Sequence, residues 1–335
     1  MKNMSPIHSI LVTGGAGFIG SHLCEALLRR GRRVVVLDNF CDFYAPAVKR
    51  ANAAKIRRAA EETGGALTIL SGDIRRTGDV ERAVRALGPA ESSAVVHLAA
   101  MAGVRPSIER PQLYYEVNVY GTLNLLEACR QFGVRRVVFA SSSSVYGNNP
   151  KVPFAEKDPV DNPISPYAAS KKAGELLCHN YHHLYRFSIA CLRFFTVYGP
   201  RQRPDLAIHK FARLIEAGRP LPFFGDGSAS RDYTFITDTL QGILGSLDWV
   251  ERAEQPSFDI FNLGESQTVD LSTLVRLLGE AMGVQPALTR LPMQPGDVLC
   301  TYADIGKARQ VLGYDPQVKI EEGIPRFVDW FKKSI

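Results

Sequence analysis

Nothing in the sequence approaches the roughly 20 consecutive apolar residues that a bilayer-spanning helix requires. The first ten residues, Met1 to Ile10, hold one Lys and no apolar segment of the kind found in a secretory signal. Export and membrane insertion are therefore not expected, and a cytoplasmic location is. Cysteine is scarce: Cys24, Cys41, Cys129, Cys178, Cys191 and Cys300 are scattered without a CxxC pair, which argues against both a disulfide frame and a thiolate zinc site. His179, His182 and His183 stand one turn apart, but no acid or cysteine completes a ligand set, so no metal is expected. Internal repeats and low-complexity segments are also missing. Charge of one sign is only mildly in excess, with 40 Lys and Arg against 34 Asp and Glu. No nucleic-acid motif accompanies that excess, and aromatic residues are not interleaved with the basic ones, which excludes nucleic acid as the expected partner. Basic residues such as Lys49, Arg50, Lys55, Arg57 and Arg58 read as a solvated helix face.

What remains is a chain of 335 residues, 45% hydrophobic, with ample material for a core. Runs rich in Val, Ile and Leu near 8–13, 33–38, 67–71, 94–98, 135–141 and 187–194 read as strands. Amphipathic stretches near 18–30, 47–62, 77–87, 112–132 and 167–185 lie between them and read as helices. This alternation predicts an α/β, doubly wound, Rossmann-like parallel sheet. After residue 196, turn clusters such as Gly199-Pro200, Arg219-Pro220 and Gly225-Asp226-Gly227 separate shorter elements, predicting a smaller α/β substrate-binding lobe. Helices are expected at 237–252, 270–282 and 322–333, and a strand at 258–262 that rejoins the main sheet. The expected division is 1–195 with 236–262 for a dinucleotide, and mainly 196–335 for substrate.

The strand ending at Val12 runs into Gly14-Gly15-Ala16-Gly17-Phe18-Ile19-Gly20 and then a helix. Glycines 14, 17 and 20 permit a tight turn, close approach of a pyrophosphate, and close helix packing, while the helix N-terminus offers N–H groups to phosphates. Asp38 closes the next strand, where a carboxylate accepts ribose hydroxyls and repels a 2′-phosphate, so NAD is expected rather than NADP. A second pattern is Tyr167-Ala168-Ala169-Ser170-Lys171. Residues one turn apart share a helix face, so the Lys171 ammonium would sit near the Tyr167 phenol and lower its pKa, leaving a base for a sugar hydroxyl. Its partner segment is Ser141-Ser142-Ser143-Ser144-Val145-Tyr146-Gly147, whose hydroxyls would emerge at the sheet's C-terminal edge.

Together, TGGAGFIG, HLAA, SSSSVYG, YxxxK and RFFTVYGP resemble the extended short-chain dehydrogenases/reductases, and specifically the UDP-glucuronate 4-epimerases, over nearly the whole chain. Further matches are Asp38-Asn39-Phe40 with Tyr44, the run His97 to Arg105, Arg201 to Asp205, Arg231-Asp232-Tyr233-Thr234, and Gln294-Pro295-Gly296-Asp297. The resemblance implies a catalytic set of Ser142, Tyr167 and Lys171. It implies NAD contacts from Gly14, Gly17, Phe18, Ile19, Gly20, Asp38, Asn39, Asp73, Ile74, Leu98, Ala99, Ala100 and Asn118, as well as from Tyr167 and Lys171. For the UDP-sugar it implies Arg105, Ser142, Ser143, Ser144, Thr196, Arg203, Arg231, Asp297 and Thr301, with Pro222 and Phe224 against the uracil. Arg203 and Arg231 also make sense unaided, since a diphosphate needs guanidinium donors beside a cleft. A homodimer is expected by resemblance.

The implied reaction is inversion at C4 of a UDP-sugar through a 4-keto form. The resembling dehydratases and UDP-glucuronate decarboxylases carry acids where Ser143 and Ser144 stand here, and the resembling UDP-glucose epimerases carry Asn in place of Thr196. UDP-glucuronate is therefore the expected substrate, with UDP-glucose or UDP-N-acetylglucosamine epimerisation next, then decarboxylation or dehydration. A non-catalytic NAD-binding sensor or scaffold is the contrasting class, but such proteins lose the Tyr or the Lys.

Overall fold

The computed structural model describes residues 6–292 and 298–334. Its strands are β1 Ser9–Thr13, β2 Arg33–Asp38, β3 Leu67–Ser71, β4 Ser93–His97, β5 Arg136–Ser142, β6 Ser188–Phe194, β7 Thr196–Tyr198, β8 Leu221–Phe224, β9 Ser230–Phe235, β10 Phe258–Leu263, β11 Thr268–Asp270 and β12 Leu288–Leu291. Its helices are α1 Phe18–Arg29, α2 Pro46–Thr63, α3 Thr77–Arg85, α4 Val104–Glu109, α5 Pro111–Tyr115, α6 Gly121–Gln131, α7 Pro166–Tyr185, α8 Ala207–Glu216, α9 Ile236–Arg252, α10 Leu271–Met282, α11 Gly306–Leu312 and α12 Ile320–Lys332. None of the described helices is long and apolar enough to cross a membrane.

Seven strands form one parallel sheet in the order β10-β6-β5-β4-β1-β2-β3. Residues alternate between its faces with period two. Ile10, Val12, Val34, Val36, Val96 and Val138 pack on one side with Leu23 of α1, Ile56 of α2 and Ile243 of α9. Leu11, Val35, Leu37, Val95, Val137 and Phe139 pack on the other with Val80 of α3, Leu125 of α6 and Cys178 of α7. Burial on both faces explains why these strands read as continuous apolar runs rather than as alternation. The order reverses between β1 and β4, so their C-terminal ends open a crevice, the usual ligand position in such sheets.

A second core holds Tyr198, Phe211, Leu221, Phe235, Leu274 and Phe327, drawn from the short elements after β6. There β7, β9 and β11 make a three-stranded sheet, and β8 pairs parallel with β12. The stretch 112–132, expected as one helix, is continuously helical over residues 111–131, with a π-turn over Glu116–Tyr120 joining α5 to α6.

Candidate functional site

The glycine loop is shaped by contacts that leave no room for side chains. Gly14 has φ +70°, and a Cβ there would lie 2.9 Å from the Ala99 backbone, so the ends of β1 and β4 abut. A Cβ on Gly20 would lie 2.3 Å from the Gly14 carbonyl oxygen, which seats α1 directly on the loop. Gly17 begins α1 without a side-chain cap, leaving the first-turn N–H groups of Phe18, Ile19 and Gly20 for another acceptor. An uncapped helix end over a glycine cradle suits a pyrophosphate, so the chain's own geometry fits a dinucleotide.

Asp38, at the end of β2, is 5% exposed. Its carboxylate accepts from the N–H of Ala16 (3.1 Å) and of Phe40 (2.8 Å), which ties the acid to the glycine loop. Lys49 pairs with it at 3.4 Å and is itself buried, not solvated as its sequence neighbourhood predicts. Asn39 donates to Asp73 (3.2 Å), and Asp73 is paired with Arg75 at 2.7 Å. Ile74 lies against Gly121, where a Cβ would come within 2.6 Å.

The loop after β4 is braced by a chain the sequence did not reveal. Thr13 Oγ1 and His97 Nδ1 are 2.7 Å apart, His97 Nε2 and Thr122 Oγ1 are 3.0 Å apart, and Ala99 N–H donates to Thr13 Oγ1 at 3.2 Å. Burial, with Lys171 adding to it, drives the His97 imidazole down to about 3, so it braces as a neutral ring. Asn118 sits in the π-turn, a common feature of functional sites. Its amide accepts from Met101 N–H (2.8 Å) and donates to Met101 O (2.9 Å) and Ser170 Oγ (2.9 Å). Asn118 thus joins the loop carrying Leu98, Ala99 and Ala100 to α7.

Helix α7 opens on Ser165, whose hydroxyl accepts from Ala168 N–H at 3.1 Å, with Pro166 in the first turn. That start places Tyr167 and Lys171 one turn apart beside the end of β5. Ser142 Oγ accepts from Ser144 N–H (3.2 Å) and donates to Ser144 Oγ (3.2 Å), close enough to Tyr167 to act on its phenol. Burial raises the Tyr167 phenol, while the Ser142 hydroxyl and the Arg203 charge pull it back. Lys171 faces the Tyr167 ring, as the one-turn spacing predicts. Its ammonium donates to Ala140 O (2.8 Å), 6.0 Å from the Tyr167 ring centre, and burial pushes it down to about 8. Along β5 the ammonium meets this carbonyl and the face of the Phe139 ring, 5.4 Å away.

Arg203 reaches this same point from the other lobe. It donates to Asp205 at 3.0 and 2.6 Å and to Ala102 O at 3.4 Å, and lies 5.0 Å over Phe43. Arg105 stacks 5.1 Å over Phe224 of β8, bringing α4, which follows β4, to that strand; Pro222 is half-buried on the same strand. Arg231 donates to Ser230 O (2.9 Å) and Leu299 O (3.4 Å). Thr301 is committed: its hydroxyl accepts from Asp232 N–H at 3.1 Å, in the seam between β9 and the 299–303 segment. Ser143, Ser144 and Thr196 are half-buried at the ends of β5 and β6. Asp297 lies outside the described residues. Of the histidines on α7, His182 is bonded to Phe187 O at 2.8 Å and His179 packs edge-on against Phe258.

Comparison with known proteins adds a second, independent view. The family model described as GDP-mannose 4,6 dehydratase matches residues 11–327. UDP-glucuronate 4-epimerase 4 of Arabidopsis thaliana is 43% identical over 96% of this chain and 75% of its own length. The crystal structure of UDP-glucuronic acid 4-epimerase from Bacillus cereus, in complex with UDP-glucuronic acid and NAD, superposes with a TM-score of 0.87 at 35% identity, covering 97% of this chain and 99% of that one. The UDP-glucose 4-epimerase of Thermus thermophilus, in complex with NAD, gives 0.84 at 36% identity, covering 97% and 99%.

Proposed function

The chain belongs to the extended short-chain dehydrogenase/reductase family described by the GDP-mannose 4,6 dehydratase model, and from that premise we propose that it is an NAD-dependent UDP-glucuronate 4-epimerase, an isomerase that interconverts UDP-glucuronate and UDP-galacturonate. The observation that carries the reading is the meeting of Ser142, Tyr167 and Lys171 at the end of β5, across the crevice from the uncapped glycine loop. NAD would lie on Gly14, Gly17, Phe18, Ile19 and Gly20, with Asp38 and Asn39 at a ribose, Asp73 and Ile74 at the adenine, and Leu98, Ala99 and Ala100 along the loop. Asn118 holds that loop in place. The lobe formed mainly by 196–335 would take the nucleotide-sugar, and 1–195 with 236–262 the dinucleotide.

Tyr167 removes the proton of the C4 hydroxyl, and Ser142 hydrogen-bonds the same oxygen. NAD, when bound, would supply a reversible hydride acceptor beside C4, so that no net redox change results. The protonated Tyr167 gives its proton back when the 4-keto sugar has presented its other face, and C4 is inverted. Arg203 and Arg231 would hold the diphosphate through charge-assisted bonds, with Arg105, Pro222, Phe224 and Asp297 at the nucleotide and Thr301 shaping the pocket. A 4-keto glucuronate is a β-keto acid and loses carbon dioxide when its C5–C6 bond aligns with the carbonyl. Hydroxyls of Ser143, Ser144 and Thr196 would hold the carboxylate out of that alignment without supplying an acid.

We assign this chemistry to a cytoplasmic homodimer. All six cysteines are free thiols, and Tyr115, Tyr120, Leu176 and Leu184 expose apolar surface of 44%, 53%, 59% and 55% on α5, α7 and the intervening turn. Incubation of the purified protein with UDP-glucuronate, without added NAD, tests the function. A product of identical mass and new retention time is expected. A lighter UDP-pentose would overturn the reading of Ser143 and Ser144, and no reaction would redirect the assignment to a neutral UDP-hexose.

A further inference from the structure

A buried ion pair lies behind the proposed catalytic residues and touches none of the reacting atoms. Glu175 and Arg193 are 2% and 1% exposed. Arg193, on β6, donates from Nε to Glu175 Oε1 (2.8 Å) and from Nη2 to Oε2 (2.9 Å), a two-point fork. Its Nη1 reaches Glu156 O at 3.3 Å, and its guanidinium lies 4.8 Å from the centre of the Tyr146 ring. Ser141 Oγ donates to Glu175 Oε1 at 2.6 Å. Lys172 stands 4.0 Å from the other carboxylate oxygen.

Ser141, Glu175 and Tyr146 each adjoin residues of the proposed site. Ser141 immediately precedes Ser142. Glu175 follows Lys171 by one helical turn and Tyr167 by two, so the three share the face of α7 that meets β5. Tyr146 ends the turn that carries Ser143 and Ser144. Stability alone is a poor reason for the pair, because well-packed apolar residues serve as well in such a place and desolvating two charges is costly. A planar fork provides something apolar contacts do not, a fixed distance and orientation between the elements it joins.

We propose that Glu175 and Arg193, acting through Ser141, are positioning residues that set the separation of the Ser142 hydroxyl and the Tyr167 phenol. The clamp fixes helix α7 against the ends of β5 and β6, so Tyr167 meets Ser142 without searching. Ser142 is also one of the two groups, with Arg203, that offset the effect of burial on the phenol; Lys171 and Tyr114 face it as well, the latter edge-on at 6.2 Å. Displacement of Ser142 therefore costs geometry and leaves the phenol harder to ionise.

The inference rests on the epimerase reading for its assay, and the test separates the two. Ser141→Ala removes one bond from the cluster and keeps the ion pair, so it folds; Arg193→Lys keeps the charge and loses the fork. For both, kcat with UDP-glucuronate is expected to fall by on the order of tenfold or more, as for a small misplacement of reacting groups. KM and the NAD content of the purified holoprotein should be unchanged, and the acid limb of the kcat profile should move to higher pH. Unchanged kcat and acid limb, with only a lower melting temperature, would overturn the proposal and leave a merely structural ion pair. If the wild-type protein does not turn over UDP-glucuronate, the substrate reading fails. The clamp is then judged by phenolate absorbance in the holoprotein, taken by difference against Tyr167→Phe: titration at higher pH in Ser141→Ala supports it and an identical titration refutes it.

Discussion

Replacing Gly20 by Ala tests how the fold makes its dinucleotide cradle. The added Cβ would lie 2.3 Å from Gly14 O, 2.7 Å from Gly15 Cα and 3.0 Å from Gly14 C, all backbone atoms that no rotamer change can move. Carbon contacts settle at about 3.5 Å, so α1 and the loop must part by roughly 1 Å. Overpacking of this kind costs about 1–3 kcal/mol of stability. The same displacement draws the first-turn N–H groups away from a bound pyrophosphate, and losing one charge-assisted bond of about 1.5–3 kcal/mol weakens NAD binding by roughly tenfold or more. Gly78→Ala is the control. Gly78 lies in α3 with nothing within 4 Å of the added carbon, so Ala there should stabilise by up to about 1 kcal/mol and leave NAD affinity alone. Urea unfolding gives the stabilities, and titration of the stripped protein with NADH, followed by fluorescence, gives the affinities. Wild-type NADH affinity in Gly20→Ala would refute the claim that backbone contact reserves this position for glycine.

Tyr167→Phe should lower kcat by about 10²- to 10⁴-fold while NAD stays bound, read by turnover and by cofactor content; normal activity would sink the proposed base. Replacing Ser143 and Thr196 together by Ala should divert part of the flux to a UDP-pentose, seen by mass, and clean epimerisation would reject their part in holding the carboxylate. His97 binds a proton near its ordinary value of 6.5 when unfolded but only near about 3 when folded. Between these values the unfolded chain carries the extra proton, so this residue makes stability fall as pH drops from 6.5 towards 3, and His97→Gln should flatten that slope in urea midpoints measured across the range. Leu184→Arg, on the exposed face of α7, should yield a monomer by sedimentation; an unchanged dimer would place the interface elsewhere.

The parts of the molecule legible in the sequence are those whose physics is local. Buried parallel strands must be apolar on both faces, which marks β1, β2 and β4, and the glycine turn needs its residues within one short loop. The parts not legible depend on partners far along the chain. Lys49 reads as one charge among several on an exposed face, and its ammonium is drawn inward to Asp38, Cys41 and the Tyr44 ring. His97 is braced by Thr13 and Thr122, 84 and 25 residues distant, and nothing in its neighbourhood announces either. The π-turn at Glu116–Tyr120 follows no break in helical periodicity, although the Asn118 amide is committed there to Met101 and Ser170. Strands β7, β8, β11 and β12 have only three or four residues each, too few to display a period. Asp205 had a signal, since an acid two residues after a buried arginine can close a fork on it, but the pairing became visible only in three dimensions.

These forks also bear on which reaction follows formation of a 4-keto sugar. Dehydration needs a proton delivered to the departing oxygen at C6, and a carboxylic acid beside the catalytic hydroxyl is the simplest donor. Two carboxylates come close to Ser142 and Tyr167 through the fold, Glu175 from behind Ser141 and Asp205 through Arg203. Both oxygens of each accept from guanidinium N–H groups, at 2.8 and 2.9 Å for Glu175 and 3.0 and 2.6 Å for Asp205. A carboxylate held this way presents no O–H to a substrate, and what stands next to Ser142 in sequence is Ser143 and Ser144, too weakly acidic to replace it. Neither of these two carboxylates is thus free to deliver a proton at C6, which weighs against dehydration; decarboxylation needs no such acid, and against it stands the proposed hold of Ser143, Ser144 and Thr196 on the sugar carboxylate.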